Sequence, residues 1–147
     1  NPANVAGVIN IAGGRGGHAY GKRNAVCGEE RLIEAAAAFG RSARVPTLWL
    51  YAENDSYFGP DLATAMANAW TASGAEAHLH ILPAYGTDGH DIANDRAGWE
   101  LWGEVTDSFL GSRSRPPEIA GDTPVPEKPF VGGRPELATA ADTGAQQ

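Results

Sequence analysis

The sequence predicts an α/β fold in which three parallel strands alternate with three helices. Three observations carry that expectation. Short apolar runs recur at residues 5–12, 46–52 and 77–82. Each is followed by a stretch whose apolar residues fall three and four apart, the spacing of one helix face. Proline and glycine stand at the starts and stops of these stretches. Strand–helix alternation needs crossover connections, and crossovers give a parallel sheet.

Residues 5–12, VAGVINIA, are apolar on both faces, which suits a central strand. The run Gly13-Gly14-Arg15-Gly16-Gly17 comes next and reads as a mobile loop. A helix is expected over residues 28–39, burying Leu32, Ala36 and Phe39, with Gly40 as its C-terminal cap. Residues 46–52, PTLWLYA, form the second strand, and Pro46 at its first position costs no ladder bond. The next helix, residues 60–73, opens on Pro60, stops before Gly74 and buries Leu62, Met66, Ala69 and Trp70. The third strand, residues 77–82, alternates. Ala77, Leu79 and Ile81 face one way; His78, His80 and Leu82 face the other. One wetter face places this strand near a sheet edge. The last helix covers residues 96–110, with Asp95 as N-cap and Leu101, Trp102, Val105 and Phe109 on its apolar side. Trp49, Trp70, Trp99 and Trp102 lie inside these elements and read as core.

A length of 147 residues allows one domain or less. The apolar fraction of 42% supports a packed core, but nearly all of it precedes Leu110. Residues 111–147 are rich in proline, glycine, threonine and alanine and lack periodicity. They bury too little to offset ordering entropy, so a disordered tail is expected there, after an α/β unit at residues 1–110. The net charge of -7 argues against a nucleic-acid partner, because Lys22, Arg23, Arg31, Arg41, Arg44 and Arg113 are scattered rather than clustered. No apolar run reaches membrane-spanning length. The single Cys27 excludes an internal disulfide.

The chemistry concentrates at Asp55, in AENDS, and His90, in TDGHDI. Both stand on loops after strands, where open α/β sheets place functional groups. The 35 positions between them hold one helix and one strand, which return the chain to the same end of the sheet. Imidazole suits a general base because its ordinary pKa lies near 6.5. It needs a carboxylate to fix its tautomer and to stabilise the imidazolium. Locally, Asn54-Asp55-Ser56 is also ordinary turn chemistry, and His90 alone reads as a surface histidine. The order acid then histidine on consecutive loops favours the catalytic reading.

The stretch ARVPTLWLYAENDSYFGPDLATAM, followed by LPAYGTDGHDI, resembles the C-terminal part of a dienelactone hydrolase-like branch of the α/β-hydrolase superfamily. The opening GVINIAGGRGG is similar to the strand and loop after that branch's nucleophile helix, so the likeness covers roughly residues 5–110. The resemblance implies the C-terminal half of an α/β-hydrolase sheet, with Asp55 as triad acid and His90 as triad base. It implies hydrolysis of an ester or lactone with no cofactor. The family's serine or cysteine nucleophile, on a Gly-x-Ser/Cys-x-Gly turn, would precede Asn1, as would the oxyanion donors. No such turn occurs in these residues. On that reading the chain alone is inactive. The rival reading is a non-catalytic half-domain, either truncated or completed by a partner chain.

Other signals compete. Glu53 and Asp61 flank Asp55; the first reads as solvated, the second as a first-turn complement to the helix dipole. Asp88 and Asp91 flank His90, where they can influence its pKa, but read as solvated. Gly14-Arg15-Gly16-Gly17-His18-Ala19 matches a dinucleotide fingerprint. Its continuation, Tyr20-Gly21-Lys22-Arg23-Asn24, is not a helix start, so a nucleotide cofactor is not expected. His18 and Tyr20 on that loop are candidate substrate contacts. His78 and His80 share a face, yet with no convincing carboxylate or cysteine nearby they are not read as metal ligands. Cys27 sits near a helix start but on the wrong segment for the nucleophile, and reads as structural.

Overall fold

The computed structural model describes residues 4–94 and 96–114. Strand β1 (Val8–Ile11) leads through a long loop to helix α1 (Glu29–Ser42). Strand β2 (Thr47–Ala52), helix α2 (Pro60–Ala72), strand β3 (Ala77–Leu82) and helix α3 (Arg96–Ser114) follow. Two short 3-10 turns, Ala19–Gly21 and Gly89–Ala93, stand in the loops. All pairings are parallel, in the order β1-β2-β3, with Ile11 beside Leu50 and Leu50 beside His80.

Among the described residues β2 is the middle strand. Every residue of β2 is buried. β1 pairs only with β2 among the described residues, and Val8 is 45% exposed. Its composition suits cover on both sides, but these residues supply one neighbour. β3 is the other edge, with the wetter face expected of it: His78 and His80 are exposed.

The sheet separates two apolar layers. Trp49 and Tyr51 pack on one side with Ala36 of α1 and Ala63, Met66 and Ala67 of α2. Leu48, Leu50, Ala52 and Leu82 pack on the other with Ile92 and with Phe109 of α3. Strand alternation sends neighbours to opposite layers, so β2, apolar from Leu48 to Ala52, feeds both.

Helix α2 begins with Pro60 at its first turn and ends before Gly74, whose φ of 100° favours glycine. α1 departs from expectation. It runs through Gly40 to Ser42. A Cβ on Gly40 would lie 2.6 Å from the Trp70 carbonyl oxygen, so this glycine is where α1 crosses α2. Ala36 and Gly40, four apart, form the contact. Phe39 is rotated about 100° from Gly40 and is 64% exposed, not buried. Gly40→Ala is therefore expected to destabilise by about 1–3 kcal/mol, against a helix-propensity gain of about 1. Urea unfolding that shows a more stable variant would contradict the crossing.

α3 continues to Ser114, so residues 111–114 are helical and the expected boundary at 110 is too early. The tail expected beyond residue 114 and the Asp95 cap lie outside the described residues. Trp99 is 45% exposed rather than core; it meets Trp102 edge-on at 4.5 Å. Among the described residues no helix is long and apolar enough to cross a membrane. The parallel strands bring their carboxyl ends to one edge. There the loops after β1, β2 and β3 converge.

Candidate functional site

Asp55 follows β2 by three residues, and its carboxylate is fully buried. Oδ1 accepts the backbone N–H of Tyr57 at 2.8 Å and of Phe58 at 2.9 Å. Oδ2 accepts from His90 Nδ1 at 3.3 Å. The turn reading and the orienting reading of Asp55 thus describe two oxygens of one group. The turn bonds hold the carboxylate rigid and leave the second oxygen facing the imidazole. With Nδ1 donating to Asp55, the lone pair of His90 is on Nε2. That atom has no hydrogen-bond partner among the described residues, and the side chain is 28% exposed.

Aromatic rings fix the imidazole plane. Tyr57 stacks on His90 with centroids 4.1 Å apart, and Phe58 meets it edge-on at 5.6 Å. His18 stacks on Tyr57 at 3.6 Å. Two near-parallel rings this close to one phenol must lie on opposite faces, so Tyr57 is sandwiched between the two histidines. Only close backbone brings the loop after β1 here. A Cβ on Gly14 would come within 2.6 Å of the Phe58 ring, and one on Gly17 within 2.7 Å of Tyr57. Of the two glycines that match the phosphate-loop pattern, Gly14 packs under the Phe58 ring and Gly16, at φ of 84°, faces Cys27; Gly17 beside them packs under Tyr57. The loop is anchored at several points. Gly17 bridges Val26, and the Asn24 N–H reaches the Ser56 carbonyl at 2.7 Å. Beneath it the Tyr51 hydroxyl donates to the Gly13 carbonyl at 2.5 Å and accepts from Asn10 at 3.1 Å. Burial pushes the Tyr51 phenol up to about 12; the Asn10 bond opposes this and the Asp55 charge adds to it.

Asn54 clamps the loop after β3. Its amide donates to the Tyr85 carbonyl at 3.0 Å and accepts the Tyr85 N–H at 2.8 Å. Gly89 approaches so closely that a Cβ would lie 2.5 Å from both the Ala52 side chain and the Asn54 Oδ1. This close approach delivers His90, one residue later, to Asp55.

Sequence reasoning missed Asp88, which it read as solvated. Its side chain is only 11% exposed. It accepts the Ser56 N–H at 3.0 Å, the His90 N–H at 3.1 Å and the Ser56 hydroxyl, and pairs with Arg23 at 3.3 Å. Burial opposes its charge, but the bonds from Ser56 and His90 and the Arg23 guanidinium outweigh that and lower its pKa to about 2. A carboxylate lowered in the folded state stabilises above its ordinary value of 3.8, and loses that contribution as pH falls through about 2. Stability should therefore decline between pH about 4 and about 2, and Asp88→Asn should flatten that limb in urea midpoints taken across the range. An unchanged slope would contradict the assignment. The only sequence signal was the position of Asp88 two residues before His90, where a short acidic side chain can accept its own loop's amide.

None of the other candidates bonds to the side chain of Asp55 or His90 among the described residues. Tyr20 is 93% exposed, with φ of 57°. Glu53 and Asp91 are exposed, and Asp61 stands in the first turn of α2. Cys27 is exposed, two residues before α1 begins. His78 does have a carboxylate partner: Glu76 lies 2.7 Å from its Nε2. Among the described residues no group of three or more His, Cys, Asp or Glu is placed to hold a metal ion.

No family model matches the chain, and no curated protein matches it.

Proposed function

We propose that this chain carries the acid–base arm of an α/β-hydrolase that cleaves an ester or lactone through an acyl-enzyme. The observation that carries the reading is the buried Asp55 carboxylate bonded to His90 Nδ1, on consecutive loops at the carboxyl edge of a parallel sheet. His90 would take the nucleophile's proton on Nε2 and return it to the leaving oxygen. Asp55 would hold the tautomer and stabilise the imidazolium. The nucleophile, a serine or cysteine on a sharp turn, would be supplied by residues upstream of Asn1, together with the oxyanion donors. The substrate would be a small ester or lactone, with no metal or organic cofactor.

Hydrolysis of a p-nitrophenyl ester tests this. Residues 1–147 alone should show no turnover beyond that of an exposed imidazole. A protein that includes the coding sequence upstream of Asn1 should hydrolyse the ester and lose activity in His90→Ala. Turnover by residues 1–147 that disappears in His90→Ala would place the nucleophile inside this chain. An upstream sequence lacking a strand, a Gly-x-Ser/Cys-x-Gly turn and a helix would defeat the proposal.

A second reading is favoured by β1: a non-catalytic module whose sheet is completed by another strand. The edge of β1 borders a groove of about 540 Å³ lined by Val8, Ile9, Leu32, Phe39 and Trp49. Exposed strand edges beside apolar surface tend to associate. Size-exclusion chromatography and circular dichroism on residues 1–147 separate the cases. A monomer that unfolds cooperatively would show a self-sufficient unit and contradict completion by a further strand.

A further inference from the structure

We propose that Asp88 is a positioning residue for both imidazoles of the site. One oxygen ties the His90 backbone to the loop bearing Asp55; the other orients the Ser56 hydroxyl and so fixes His18 with Nε2 protonated.

The first half rests on one atom. Asp88 Oδ1 accepts the N–H of Ser56, the residue after the acid, and the N–H of His90 itself. Two loops from different strands therefore hang on a single oxygen. Asp88 does not compete with Asp55 for the ring, because it holds the His90 backbone. The importance of that spacing for catalysis rests on the hydrolase reading; the hydrogen bonds do not.

The second half comes from proton counting. An ionised carboxylate only accepts, so the proton between Ser56 Oγ and Asp88 Oδ2 belongs to serine. The serine oxygen then has only lone pairs to offer His18 Nε2, which lies 2.6 Å away. His18 must carry its proton on Nε2, leaving Nδ1 as an acceptor. The charge of Asp88 thus passes through one hydroxyl to the tautomer of a histidine 4.0 Å from its own oxygen. Arg23 pairs with that carboxylate from the glycine loop, so three loops meet on it.

Histidine ¹⁵N NMR on residues 1–147 reads both tautomers, at a pH above the ordinary imidazole value of about 6.5. The wild type should show Nε2–H at His18 and Nδ1–H at His90. Asp88→Asn keeps one acceptor oxygen for the two backbone amides but turns an NH2 toward Ser56. The hydroxyl must then donate to His18, which should switch to Nδ1–H while His90 stays unchanged. Ser56→Ala should leave His18 without a single tautomer and His90 as before. Asp88→Ala should disturb both rings. An unchanged His18 tautomer in Asp88→Asn and Ser56→Ala would overturn the second half, and unchanged His90 signals in Asp88→Ala the first. Should Asp88→Ala not fold, amide exchange of wild-type Ser56 and His90 decides the first half. Slow exchange supports the shared oxygen, and exchange at loop rates overturns it. These spectra need no turnover, so failure of the hydrolase reading alone would show in the ester assay and leave them unchanged.

Discussion

Asp55→Asn, made in a protein that hydrolyses esters through this site, should lower turnover by up to about 10⁴ while the fold survives. The geometry gives the reason. The asparagine carbonyl oxygen can keep the Tyr57 and Phe58 amides that Oδ1 holds now. Its NH2 then faces His90 Nδ1, where the carboxylate oxygen stood at 3.3 Å. Two donors cannot bond, so the imidazole takes the other tautomer and protonates Nε2, removing the base. Asp55→Ala differs, because it also strips partners from two amides. It should cost roughly 2 kcal/mol or more in stability. The contrast between the two variants, by steady-state kinetics and by urea unfolding, separates the oxygen that faces His90 from the one that holds the turn. A loss of less than about tenfold in Asp55→Asn, with a large loss in Glu53→Gln, would reassign the acid.

Leu50→Ala should cost about 2–5 kcal/mol, and Val8→Ala less than about 1. Leu50 is fully buried in the central strand, against Ile92 and the α3 layer. Val8 sits on the edge strand at 45% exposure. Chemical denaturation of residues 1–147 measures both. Equal losses would mean that β1 is covered in solution, as it would be if copies of the chain paired along that edge.

The strands and helices were legible because their signals are local. Alternation marked β3 as an edge, Pro60 and Gly74 bounded α2, and a continuous apolar run marked β2. The wrong expectations all depend on a neighbour that sequence does not display. Gly40 reads as a stop signal and is instead a crossing point, because Trp70 lies thirty residues away. Trp99 is apolar yet sits where α3 meets solvent. At the site, the pairing of Asp55 with His90 was legible from their order on consecutive loops. Asp88, Ser56 and the Tyr57 sandwich were not. Each depends on the fold of a turn within hydrogen-bond distance of another, and a polar side chain in a loop sequence looks the same whether it is solvated or enclosed. The Gly-x-Gly-x-x-Ala match has a packing account too, since Gly14 lies under the Phe58 ring and Gly16 takes a φ of 84° against Cys27.

We propose that Asp55 and His90 serve a nucleophile upstream of Asn1. Trapping the acyl-enzyme tests it most directly. A protein carrying the upstream coding sequence is mixed with a p-nitrophenyl ester and quenched in acid, and its peptides are mapped by mass spectrometry. The expected result is an acyl group on one serine or cysteine upstream of Asn1, formed rapidly in the wild type and not in His90→Ala. An acyl group on Cys27 or Ser56, or one that forms as fast in His90→Ala, would contradict it.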